Sequence, residues 1–268
     1  MIVAFWSNVH GQPRTTSNMV AVAVAIAMSY NRRCLVTQTH FNLNNLESCL
    51  IGNRENSKDV FLDIGLDGLA SVIKLRAIDK VTIENYSIQL LQKKLTLLPG
   101  TTGGNRKVFF DDMGKTSAML LNEIKNHFEM VFVDVNSGSD EVSKLILEKA
   151  DLIVVNLCQN RSVLDHFAST WQPTDKKIMY LIGNYDRDSI YNIHNMKLLY
   201  PFLSKGRLGV IPYNTGFMDA QSNGSVLNYM KKNISASKES TNGYFIDCVK
   251  NSVDKLMKLA GEKRGGKV

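Results

Sequence analysis

The sequence predicts an α/β fold: a single doubly wound, mostly parallel sheet with helices on both faces. Two observations carry that reading. Short, mostly apolar runs recur along the chain at strand length, and helix-length segments fall between them. Continuous apolar strands alternating with helices belong to parallel sheets covered on both sides. A third observation is the opening itself, where an apolar strand runs into a polar loop and then into an apolar helix.

Taken in order, Ile2–Trp6 reads as a buried strand, residues 7–16 as a turn-rich loop, and the stretch to Ser29 as a helix beginning near Thr15. Further strands are expected at Cys34–Gln38, Leu95–Leu98, Met130–Asp134, Leu152–Leu157, Ile178–Ile182 and Leu208–Ile211. Helices are expected at Gly68–Arg76, Ser117–Phe128, Glu141–Lys149, Ser162–Thr170, Ser189–Leu199 and Gly224–Met230, with Asp140 as an N-cap. Residues 99–104 form a loop by composition, and 233–243 a polar linker. A last helix over 244–261 aligns Phe245, Val249, Val253, Leu256 and Leu259/Ala260 on one face. The expected organisation is one α/β domain over 1–232, the linker 233–243, and a basic helix and tail over 244–268 packed on that same domain.

Composition narrows the function classes. The chain has 268 residues, enough for a large core without staples. No apolar run reaches the ~18–20 residues of a membrane span, and the N-terminus has no signal-peptide pattern. Cys34, Cys49, Cys158 and Cys248 have no zinc-site spacing, which suits a reducing, cytoplasmic setting. The net charge is +7, and from Lys231 onward nine Lys/Arg face four Asp/Glu. A solvated helix face is the favoured reading of that excess. Contact with nucleic acid or an anionic membrane is the sharper, less favoured one.

The loop carries the chemistry. A phosphate-binding loop turns glycine-flanked backbone N–H groups inward, bridges the phosphates with a lysine, and offers a Ser/Thr hydroxyl to Mg²⁺. Here Gly11 remains, Arg14 stands at the lysine position, and Thr15 at the hydroxyl position. Pro13 supplies no N–H. An anion at the N-terminus of the following helix remains physically sound.

These residues resemble the MinD/ParA superfamily of deviant P-loop ATPases, and within it the CpaE/TadZ-type proteins of Flp (Tad) pilus systems. The family loop K-G-G-x-G-K-T-T aligns with residues 9–16, where Val9, His10 and Pro13 replace a lysine and two glycines. The family's D-x-D-P-Q after the second strand aligns with Gln38, Thr39, His40, Phe41 and Asn42, so both acidic positions are lost. Gly65–Leu69, Leu97–Gly100 and the Ala150–Val155 strand also resemble family segments, so the similarity spans about residues 1–232.

The resemblance implies nucleotide contacts at Gly11, Gln12, Arg14, Thr15, Thr16, Asn184, Pro212 and Tyr213. It implies Mg²⁺ at Thr15 and, through water, Asp134, and γ-phosphate sensing at Gly138. ATP and Mg²⁺ are the ligands it admits. No catalytic residue is assigned, and His10 and His40 are expected to be loop, structural or exposed residues. The implied function is a degenerate bacterial spatial organiser or assembly factor, as in pilus assembly, with weak or absent ATP hydrolysis. Protein partners of an assembly or partition system and a homodimer go with it. The alternative is an active, ATP-dependent dimerising ATPase of the partition type. DNA binding and membrane attachment through the basic C-terminal segment are not favoured.

Overall fold

The computed structural model describes residues 1–30, 32–40, 45–52, 64–101, 106–171, 175–204 and 206–261. Phe41, Asn42 and the tail beyond 261 lie outside the described residues. The strands are β1 (Ile2–Trp6), β2 (Cys34–Gln38), β3 (Ile88–Leu91), β4 (Leu95–Leu97), β5 (Met130–Asp134), β6 (Leu152–Leu157), β7 (Lys177–Tyr185) and β8 (Leu208–Pro212). The helices are α1 (Thr15–Ser29), α2 (Asn45–Ile51), α3 (Leu66–Ile73), α4 (Lys80–Asn85), α5 (Arg106–His127), α6 (Glu141–Lys149), α7 (Arg161–Thr170), α8 (Ile193–Leu199), α9 (Thr215–Ser222), α10 (Val226–Asn233) and α11 (Thr241–Ala260).

One sheet runs β3-β4-β2-β5-β1-β6-β7-β8, parallel throughout except for the antiparallel β3–β4 hairpin. The doubly wound expectation is therefore correct. Successive strand residues point to opposite faces. In β1, Ile2, Ala4 and Trp6 pack with Leu120, Ile146 and Leu164 on one side, while Val3 and Phe5 pack with Val22, Ile26 and Phe245 on the other.

Helix α1 is buried from Asn18 to Ala27 because it lies between the sheet and α10 and α11. A helix apolar on all sides is stable only in such a place. Its burial turns its N-terminus toward the carboxyl ends of β1 and β5. Those strands adjoin where the winding direction reverses, the position at which open α/β sheets place ligands.

The β3 strand and helices α2, α4 and α9 were not expected from the sequence. All are short, and β3 is a half-exposed edge strand whose turn holds Lys93 at φ 56°. The helix expected at 117–128 begins eleven residues earlier, at Arg106. The polar stretch before α11 is 234–240, a little shorter than the expected 233–243. Among the described residues no helix is long and apolar enough to cross a membrane.

The basic helix α11 spends several of its cations inside the fold. The ammonium of Lys250 donates to the carbonyl of Ile234 at 2.6 Å, and that of Lys255 to the carbonyl of Leu208 at 2.7 Å. Asp247 pairs with Lys238 at 2.8 Å.

Asp140 caps α6 as expected. Its carboxylate accepts from the Ser143 N–H at 3.0 Å, the Ser143 hydroxyl at 2.6 Å and the Asn136 amide at 3.0 Å. Partial burial opposes ionisation, but the Ser143 and Asn136 bonds outweigh it and lower the pKa. Replacing Asp140 with alanine is expected to cost ~1 kcal/mol, read by urea denaturation. A depressed carboxylate adds stability that is complete above its unfolded pKa of about 4 and disappears as pH falls through the lower native value. The wild-type advantage over the variant should therefore shrink in acid and stay constant above pH of about 5.

Candidate functional site

At the carboxyl ends of β1, β2 and β5 lies a cleft of about 570 Å³, lined by His10, Gly11, Arg14, Thr15, Thr16, Ser17, His40, Asp134 and Gln221 among others. The loop from β1 to α1 forms one wall. Gly11 has φ 79°, and Arg14, the last residue before α1, sits in the left-handed region at φ 58°, ψ 43°. The N–H of Gln12 donates to the His10 carbonyl at 3.0 Å, and that of Arg14 to the Gly11 carbonyl at 3.2 Å. With Pro13 lacking an N–H, three consecutive positions of the cradle have none left for a ligand. The N–H groups of Thr15, Thr16 and Ser17 are different: no acceptor among the described residues bonds them, and α1 has no side-chain cap. The Arg14 side chain is exposed beside them and pairs with no carboxylate among the described residues. Helix N–H groups and a guanidinium on one wall form a site for an anion, with phosphate oxygens suited to the guanidinium fork.

The loop is anchored from behind. The Asn18 amide donates to the Pro13 carbonyl at 2.8 Å and to Asn156 Oδ1 at 2.9 Å, within the buried interior. The Pro13 carbonyl lies against Gly183 of β7 so closely that a Cβ there would come within 2.3 Å of it. Neither Asn18 nor Gly183 was singled out from the sequence as part of the loop's support.

The opposite wall is polar and buried. Strand pairing sets Gln38 beside Asp134, and the N–H of Thr39 donates to the Asp134 carbonyl at 2.9 Å. This places His40, 6% exposed, against Asp134, 1% exposed. His40 Nε2 lies 3.2 Å from Asp134 Oδ2, and the Thr16 hydroxyl donates to the same oxygen at 2.5 Å. His40 Nδ1 is buried with no hydrogen-bond partner among the described residues. With a carboxylate opposite, Nε2 carries the hydrogen and donates. Burial alone lowers the His40 pKa, yet the Asp134 hydrogen bond and the charges of Asp134 and Glu47 overcome it and raise it. Glu47 itself accepts from the Gln38 amide at 3.0 Å and the Gly100 N–H at 2.6 Å. Its pKa is raised by burial, against the lowering by the Gly100 N–H bond. Cys49, also in the cleft, has its thiol pushed up to about 12, chiefly by burial, so it offers no thiolate. Ser17 donates to Gln221 Oε1 at 2.6 Å and ties α1 to α9.

Of the residues expected to bind nucleotide or metal, Gly11, Arg14, Thr15, Thr16 and Asp134 share this cleft. Gln12 does not line it. Its Oε1 accepts from Asn160 at 3.1 Å, at the start of α7. Asn184, at φ 48°, and Pro212 and Tyr213 stand at the ends of β7 and β8 and do not line it either. Gly138 has both backbone groups committed: its N–H donates to the Ser7 carbonyl at 3.0 Å, and its carbonyl accepts from Trp6 Nε1 at 2.7 Å. His40, expected to be structural or exposed, is buried and is the nearest ring nitrogen to Asp134.

A hard divalent cation takes oxygen ligands and keeps several waters. The pairing the resemblance implies, Thr15 with Asp134, is not assembled as such, since Thr16 and not Thr15 meets the carboxylate. A ring N–H occupies the same carboxylate oxygen, presenting a positive hydrogen where a cation and its water shell would face it. No cluster of His, Cys, Asp or Glu able to hold a metal occurs among the described residues. The donor set departs from the Thr15–Asp134 pair that the resemblance implies for Mg²⁺.

No protein-family model and no curated protein matches the sequence. Solved structures do. A ParA family ATPase from Chlorobium tepidum aligns over 92% of this chain and 98% of its own, with TM-score 0.69 and 14% identity. The chain has the MinD/ParA fold. The septum site-determining protein MinD from Pyrococcus horikoshii, solved with Mg-ADP, aligns over 97% of each chain with TM-score 0.67 and 16% identity. MinD in an Aquifex aeolicus MinC:MinD complex covers all of this chain and 98% of its own, with TM-score 0.64 and 15% identity. In the MinD/ParA fold as built here, the cleft, the left-handed Arg14 and the buried Asp134 lie together at the central strands.

Proposed function

We propose that this chain is a degenerate MinD/ParA-like protein that organises partners in space, as the resemblance to CpaE/TadZ-type assembly factors implies, and that it binds ATP without hydrolysing it efficiently. The reading rests above all on the cleft wall facing the loop. The two positions that are acidic in the family pattern are Gln38, which is hydrogen-bonded to Glu47, and His40, which donates to Asp134. Gln38 is an amide and no base, and the His40 nitrogen left for a proton, Nδ1, is buried away from the solvent of the cleft. The loop adds to this, with Gln12 and Arg14 N–H groups turned onto loop carbonyls and Pro13 offering none. The closed Gly138 has no N–H left for a γ-phosphate. The Mg-ADP of the Pyrococcus neighbour and the MinC of the Aquifex complex support nucleotide and protein ligands for a cleft of this fold.

Phosphate release measured with ATP tests the reading. Loss of a general base costs ~10²–10⁴-fold, so turnover should fall at least about a hundredfold below that of an intact ParA-type ATPase. Turnover equal to such an enzyme would overturn the proposal in favour of the active, dimerising ATPase.

A further inference from the structure

We propose that the cleft binds its nucleoside triphosphate without a divalent cation, because His40 and Thr16 hold one oxygen of the carboxylate that would otherwise face one, and set a ring N–H beside it. The inference rests on the nucleotide part of the proposed function and says by what means the phosphates are held. Asp134 is the buried acid of the cleft, and its Oδ2 takes two protein donors, the Thr16 hydroxyl at 2.5 Å and His40 Nε2 at 3.2 Å. Asp134 is thereby turned inward as an anchor that fixes the first turn of α1 against β2 and β5. A cation bridging Oδ2 of this carboxylate to a triphosphate would displace the ring N–H, and a displaced His40 would be buried with neither nitrogen partnered among the described residues.

The positive groups that remain for the phosphates belong to the protein. They are the guanidinium of Arg14 and the N–H groups of Thr15, Thr16 and Ser17, residues that all line the cleft. The left-handed backbone at Arg14 sets its side chain apart from the helix axis while its own carbonyl starts α1 by accepting from the Asn18 N–H at 2.9 Å. Arginine binds phosphate oxygens through a planar fork and keeps its charge at all working pH values, so it neutralises a triphosphate with no metal.

Isothermal titration of the full chain with ATP, once with Mg²⁺ and once with EDTA, decides the matter. The dissociation constants should agree within about twofold. Arg14→Ala should weaken binding about tenfold or more in EDTA, since it removes a charge-assisted contact. His40→Asp, which returns an acidic side chain beside Asp134, should make binding depend on Mg²⁺ by about tenfold. If that variant does not fold, the wild-type pair of titrations still decides. Binding by the wild type that is lost about tenfold or more on chelation overturns the inference and leaves the nucleotide reading standing. Absence of ATP binding under both conditions overturns the inference together with that reading.

Discussion

Gly183→Ala is expected to dislodge the ligand loop and destabilise the protein by ~1–3 kcal/mol or more, the usual cost of overpacking a tight interior. The added Cβ would lie 2.3 Å from the Pro13 carbonyl and 2.7 Å from the Asn18 amide nitrogen. The first of these is backbone and cannot rotate away. Either β7 shifts within the sheet or the Pro13 carbonyl moves, and the second breaks the Asn18 bond to it. The Pro13 carbonyl then loses its donor in a site where an unmade bond costs ~1–3 kcal/mol. Urea denaturation reads the stability, and ATP titration of the folded fraction reads the loop. A fall in both ties the loop's shape to β7. Gly114→Ala is the control: nothing lies near a Cβ there, and α5 gains a better helix former, so stability should hold or rise by up to ~1 kcal/mol.

Asp134→Ala carries the other large effect. It strands the Thr16 hydroxyl and His40 Nε2, and the His40 ring then has no partner at either nitrogen. Leaving a buried neutral donor unpaired costs ~1–3 kcal/mol, and stranding a buried charge ~3–5 kcal/mol, so a loss of about 3 kcal/mol is expected. Asp134→Asn keeps the volume and one acceptor oxygen and should cost clearly less. In a double-mutant cycle, His40→Gln combined with Asp134→Ala should be less destabilised than the sum of the two, because the stranded ring is gone. Strict additivity in chemical denaturation would show that the two side chains do not interact.

The parallel sheet was legible because its strands need no period to be seen. Ile2–Trp6, Cys34–Gln38, Met130–Asp134 and Leu152–Leu157 are buried at every residue, and apolar runs of that length between turns fixed their ends. The α1 helix was legible for the same reason. The β3 edge strand was not: its residues are mostly half-exposed and its stability comes from pairing with β4. In the cleft, Gly11, Arg14, Thr15, Thr16 and Asp134 could be named from the loop's residue order together with the family resemblance. His40 could not be given its place without knowing that β2 lies next to β5, because only that pairing carries it to Asp134. The bond from Asn160 to the Gln12 side chain is likewise invisible in the sequence, because it joins the loop to a distant element. Asn18 and Gly183 support the loop through contacts 5 and more than 150 residues apart, which no local pattern reveals.

The contact between α11 and β8 has a bearing on how the chain survives its own synthesis. On the outer margin of β8, Ser252 both receives the Val210 N–H and gives its hydroxyl to the Val210 carbonyl, while Lys255 seals the Leu208 carbonyl. Bare strand margins recruit other chains and seed aggregates. Here the segment that masks the margin follows it in translation order, so every nascent copy passes through an interval with an unsealed sticky border. That border closes only when the twenty residues of α11 dock.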